Sequence, residues 1–253
     1  MSRLPILIAL AAAPLALSIA ETPVEHSAEK RFQLDLRVPD VALATFLPAG
    51  FSPNVATQGA AKDCNLRLVF IDRMTINGPE GKPLGKGSNR LAYLAAPVKD
   101  PSGTNAQMII GGITADPADA PGPFGNYLPA TKAEVRRVAE SFGLAEMVDE
   151  EWSFAAASGE KLELKIKYVP ATGNHGNPAE VKFYSAKMPS FFQISRQEQV
   201  LDILRNVTTN PPDRVKEFSL KTSGGSYAKL FAETPKVLSW DNIIWINRSI
   251  SVP

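Results

Sequence analysis

Cysteine is nearly missing from these 253 residues: Cys64 stands alone, so no disulfide can form within the chain. Histidine is almost as scarce. His26 and His175 are the only two, the second within the Gly-rich "ATGNHGNP", and no "GxSxG" opens a helix-like segment. A histidine-based zinc centre and a Ser-His-Asp triad are poor fits to that inventory, and no metal or cofactor is expected. An excess of charge of either sign is lacking too, with 27 basic against 26 acidic side chains. Nucleic acid and anionic lipid therefore have no electrostatic reason to bind.

Long apolar runs are absent beyond residues 1–20, "MSRLPILIALAAAPLALSIA". That run carries Arg3 ahead of it, Pro5 and Pro14 within it, and Ser18 and Ala20 at its end. It is shorter than the ~20 apolar residues of a spanning helix and has the pattern of a cleaved secretory signal. The expected mature chain is residues 21–253, one domain by its length, secreted or periplasmic, and off the membrane after cleavage.

What is present is a succession of short extended segments punctuated by Pro, Gly and Asn. "RFQLDL" sets Phe32, Leu34 and Leu36 against Arg31, Gln33 and Asp35, the period of a strand with one buried face. "NLRLVFIDRMTI", "RLAYLAAPV", "AQMIIGGITA", "WSFAAA", "EKLELKIKYV", "EVKFYSAKM" and "NIIWINRSISV" read alike. Gly111 and Gly112 predict a bulge or a close backbone approach. Helical spacing appears in "PDVALATFL", "TKAEVRRVAESFG" and "RQEQVLDILRNV". Thr131 and Glu134 form a capping box for the second of these, with Lys132 in its first turn. The fold class expected is α+β, a mainly antiparallel closed β-barrel with a few short helices and an internal cavity.

The order of "RFQLDLRVPDVALATFLPAGFSP", "LRLVFIDRMT", "PFGNYLPATK" and "SWDNIIWINRSISV" resembles the acetoacetate decarboxylase superfamily over nearly all of residues 31–252. The resemblance implies a closed barrel whose cavity carries a Schiff-base lysine. A neutral amine condenses there with the ketone of a β-keto acid, and the iminium accepts the electrons left by departing carbon dioxide.

The family's strand-ending arginine corresponds to Arg37, which could equally be a surface residue on the polar face of its strand. Its paired lysines follow a proline directly. Here Pro129 is followed by Ala130 and Thr131, so the amine arrives at Lys132, and "RLAYLAAP" holds no Asp or Glu where the family has its acid.

Lys132 and Arg37 are the candidate catalytic residues. Lys132 has two readings, a nucleophile inside the cavity or a solvated residue at a helix start. Half-neutralising such an amine at pH 7 requires a shift worth about 4.6 kcal/mol, which only deep desolvation or a neighbouring cation provides. The expected function is an exported barrel binding a small keto-type molecule, as a Schiff-base lyase or, alternatively, as a non-catalytic carrier of this or a lipocalin-like architecture. The partner is that small molecule, and a homo-oligomer is compatible with the sequence. The aromatics Trp152, Trp240, Trp245, Phe154, Phe183, Phe191 and Phe192 either line the cavity or fill the core.

Overall fold

The computed structural model describes residues 21–118, 125–143, 145–208 and 213–253. The expected signal segment, residues 1–20, lies outside the described residues.

The chain runs along β1 (Thr22–Arg37), turns through the helix α1 (Asp40–Ala44) and β2 (Ser52–Pro53), and continues in β3 (Leu66–Asn77), β4 (Asn89–Lys99) and β5 (Asn105–Thr114). Next come β6 (Tyr127–Phe142), β7 (Ala145–Ala156), β8 (Lys161–Tyr168) and β9 (Asn174–His175). β10 (Ala179–Ser185), β11 (Phe192–Asn206), β12 (Val215–Ser223), a 3₁₀ turn at Gly225–Tyr227 and β13 (Lys236–Val252) complete it.

Seven strands close into a barrel in the order β5-β10-β11-β13-β1-β3-β4 and back to β5. Closure hides both sheet edges, which an open sheet would leave ready to pair with another chain. The antiparallel character expected from the sequence holds around the ring except between β5 and β10, which run parallel. The expected irregularity of β5 is also found. The register slips between Leu94 and Ala95, and a Cβ on Gly112 would sit 2.6 Å from the Tyr127 ring and 2.8 Å from the Ala92 carbonyl oxygen. Only glycine fits there.

β6 leaves the barrel parallel to β5 and starts a second, antiparallel layer in the order β6-β7-β8-β12. This layer covers one side of the barrel. Phe32, Leu34, Leu68 and Phe70 from the barrel interdigitate with Trp152, Phe154, Leu164 and Tyr168 from the layer in one buried cluster. Phe70 stacks 5.8 Å from Trp152 and 6.1 Å from Phe154. Each such side chain contributes about 1.5–3 kcal/mol on leaving water, and the seam holds the two layers together.

Two of the three expected helices are strands. "PDVALATFL" does contain α1, with Leu43 buried. Residues 131–142 instead belong to β6, paired with β7 from Ala130↔Ala156 to Phe142↔Ala145. The capping-box side chains are used otherwise: Thr131 Oγ1 donates to the Ala155 carbonyl on β7 at 3.2 Å, and Glu134 pairs with Lys132 on its own strand at 3.2 Å. "RQEQVLDILRNV" lies in β11, between β10 and β13. Helical spacing in both segments is overridden because residues 131–142 pair along their length with β7 and β11 pairs with strands on both sides, and cross-strand pairing outweighs local propensity.

Candidate functional site in the barrel lumen

The pleat of β1 decides what the lumen contains. Phe32, Leu34 and Leu36 point outward under the second layer, so Arg31, Gln33 and Asp35 point inward. Both faces are buried: Arg31 and Asp35 are 4% and 2% exposed. Inward residues of the other six ring strands complete a cavity of about 360 Å³, including Arg67, Tyr93, Gln107, Phe183, Gln197 and Asp241, with Gln58 and Ala60 at its rim.

Two charged groups occupy the barrel interior. At one end, the Glu29 carboxylate accepts from Arg31 Nε at 2.7 Å, Arg73 Nε at 3.2 Å and Ser27 Oγ at 2.9 Å, with Arg248 at 2.6 Å. Glu25 pairs with Arg73 and, at 3.3 Å, with Arg248. Burial alone would raise the Glu29 pKa, but the guanidiniums of Arg248, Arg31 and Arg73 outweigh it and hold the carboxyl far below the usual carboxylate range. Three arginines here face two glutamates.

The second group is acidic. Asp35 lies 3.3 Å from Arg67 Nε and accepts from Gln33 Nε2 at 3.1 Å. Asp241 accepts from Ser239 Oγ at 2.5 Å. Burial, reinforced by the nearby Asp35 charge, pushes the Asp241 carboxyl up to about 7. Burial likewise raises Asp35 despite Arg67. Cys64 adjoins this pair but is no nucleophile. Its thiol donates to the Leu66 carbonyl at 3.3 Å, and burial beside Asp35 pushes its pKa up to about 12.

Four side-chain atoms around the cavity are buried without a hydrogen-bond partner: Arg31 Nη2, Arg67 Nε, Gln107 Oε1 and Gln197 Oε1. The two arginine nitrogens have carboxylates close enough for charge attraction but not aligned for a hydrogen bond. Arg67 is the more open, with 32% of its side chain accessible against 5% for Arg31.

The architecture has solved counterparts. The enduracididine biosynthesis enzyme MppR, complexed with the condensation product of pyruvate and imidazole 4-carboxaldehyde, matches with a TM-score of 0.57 at 11% identity over 96% of each chain. An acetoacetate decarboxylase-like enzyme from Sphingomonas wittichii RW1 matches with a TM-score of 0.56 at 12% identity, over 96% of this chain and 98% of that one. The fold is acetoacetate decarboxylase-like. No family model and no curated protein matches the sequence.

Within this acetoacetate decarboxylase-like barrel, neither residue singled out in the sequence lines the lumen. Lys132 stands on the outward face of β6, with 45% of its side chain exposed, paired with Glu134. It borders a shallow groove of about 240 Å³ with Arg136, Glu151, Glu163 and Lys165, on the side of the second layer away from the barrel. Arg37, at the end of β1, pairs with Asp40 at 2.6 Å outside the cavity. The structure does not bring the two together. No lysine or histidine is among the described residues that line the lumen, and no three His, Cys, Asp or Glu side chains among the described residues converge as metal ligands.

Of the aromatics, Phe183 reaches the cavity and Phe191 packs beside it. Trp152 and Phe154 are core, while Trp240 lies under Arg205 and against Phe218. Asn206 donates its amide to the Ala60 carbonyl at 2.7 Å and is 8% exposed. The lumen residues were missed in sequence because a polar residue alternating with apolar ones signals a solvent face. The available hint was the density of charge within strands, as in "RFQLDLR" and "SWDNIIWINRS".

Proposed function

We propose that the lumen binds a small oxo acid, its carboxylate drawn to Arg67 and its carbonyl oxygen met by a lumen amide N–H. The observation that carries this reading is the Arg67 guanidinium, which lines the cavity with 32% of its side chain accessible and Asp35 at 3.3 Å. A carboxylate meets that cation, while the unpaired Gln107 and Gln197 side-chain oxygens, each costing about 1–3 kcal/mol when left unmet, take donors from accompanying water. A volume of about 360 Å³ suits a molecule of a few carbons with accompanying water. The pyruvate-derived ligand held by MppR, a barrel of the same fold, supports the same chemical class.

An imine mechanism has no support from the lumen, whose described lining offers no amine. Binding, or acid–base chemistry without an imine, is the reading we adopt. Isothermal titration of pyruvate should show one site. Arg67→Gln should weaken it about 10- to 100-fold, the worth of a charge-assisted hydrogen bond at about 1.4 kcal/mol per factor of ten. Lys132→Ala should leave it unchanged. A borohydride-trapped adduct at Lys132, lost with binding in Lys132→Ala, would restore the Schiff-base reading.

We further propose that the protein is exported, on the strength of residues 1–20 alone. Intact mass of the exported protein should correspond to a chain starting at Glu21. A chain retaining Met1 in that fraction would refute it.

A further inference from the structure

Asp35 and Asp241 face each other diagonally across two hydrogen-bonded strands. β1 pairs with β13 so that Gln33 is opposite Asp241 and Asp35 is opposite Ser239, and both carboxyls point into the cavity. Such diagonal neighbours lie about 7–8 Å apart at the backbone, within reach of one small ligand between them. Their other neighbours are few. Arg67 from β3 faces both, Gln33 and Cys64 touch Asp35, Ser239 donates to Asp241, and Tyr93 from β4 stands beside Arg67. The opposite wall, from β5, β10 and β11, presents only uncharged lining, including Gln107, Phe183, Gln197 and Leu201.

We propose that Asp35 and Asp241 form an acid–base pair that enolises an oxo acid bound in the lumen. The inference rests on the oxo-acid reading of the cavity and adds a reaction to it. Asp241, the carboxyl without an arginine ion pair, holds a proton and donates it to the ligand's carbonyl oxygen. Asp35, beside Arg67, is the ionised partner and takes a proton from the carbon next to that carbonyl. The C–H electrons become the carbon–carbon double bond, the carbonyl π electrons take up the Asp241 proton, and an enol results. Reversal, after the proton on Asp35 exchanges with solvent, returns the oxo acid with a new hydrogen on carbon. No oxidant, reductant or second substrate enters.

Two buried carboxyls at diagonal positions in one cavity are expected to hold one proton between them, since both cannot ionise cheaply in a poorly hydrated space. The rise of Asp241 to about 7 places its proton in the neutral range, and Arg67 beside Asp35 supplies the asymmetry.

The experiment is hydrogen–deuterium exchange of the pyruvate methyl group in deuterated buffer, followed by proton NMR, with binding measured in parallel by saturation transfer. Wild-type protein is expected to bind pyruvate and speed exchange at least tenfold over buffer. Asp241→Asn and Asp35→Asn should each return exchange to the buffer rate, as loss of a positioned acid or base removes a factor larger than the enhancement itself, with near-ultraviolet circular dichroism confirming the fold. Lys132→Ala should exchange like wild type. The wild-type rate should fall as pH rises through about 7, where Asp241 loses its proton. Binding without exchange, or exchange unaltered in both Asn variants, would overturn the acid–base pair while leaving the oxo-acid site intact. Absence of pyruvate binding in wild type would overturn both.

Discussion

Glu29→Gln is expected to destabilise the protein by about 3–5 kcal/mol, the penalty for removing one partner from a buried ionic group. Glu29 is fully buried, and its carboxylate lies among Arg31, Arg73 and Arg248. With Gln in its place only Glu25 remains to offset the three guanidiniums, deep in a barrel where water cannot screen them.

Urea unfolding followed by tryptophan fluorescence measures the loss. A change below about 1 kcal/mol would mean that water reaches the cluster and that its arginines are not desolvated. The pH dependence gives a second check. A carboxyl whose folded pKa is depressed contributes stability that is present above its unfolded value of ~4.3 and declines as pH falls toward the folded one. Wild type should therefore lose stability more steeply than Glu29→Gln as acid is added below pH ~4. The gap between the two proteins should narrow there.

Trp152→Ala is expected to remove a comparable 3–5 kcal/mol or so and to loosen the second layer ahead of the barrel. Trp152 is 1% exposed, packs on Phe70 across the seam, and donates from Nε1 to Glu150 Oε1 at 2.8 Å. Glu150 also accepts from Tyr168 Oη at 3.0 Å and from Arg137 at 2.9 and 3.0 Å, and Arg137 lies over the Trp152 ring. Truncation leaves a cavity at the seam and takes one donor from a buried carboxylate. Amide exchange should rise in β6, β7, β8 and β12, while β1, β3 and β13 stay protected. Uniform loss of protection would show that barrel and layer unfold as one unit.

The sequence by itself determined that this chain is a strand protein with a closed architecture. Alternation in "RFQLDL" and "EKLELKIKYV", the glycine pair in β5 and the order of segments from 31 to 252 are local properties, and they survive in the structure because the pleat enforces them at every second residue. Local spacing failed for residues 131–142 and for β11, where neighbouring strands, β7 for the first and β10 and β13 for the second, supplied hydrogen-bond partners that lie outside each segment.

The site was decided wholly by tertiary structure. Arg31, Gln33 and Asp35 were legible as one face of a strand, but a polar face turned to water and a polar face turned into a closed lumen have the same period. Closure of the ring from β4 to β5 and on through β10 settled which it is. Closure also set Asp241 beside Asp35 and Arg248 beside Glu29, pairs separated by most of the chain length. The same geometry left Lys132 on the outer layer, because β6 departs from the barrel before reaching it. Electrostatic partnership depends on distance through space, and only the folded chain supplies that distance.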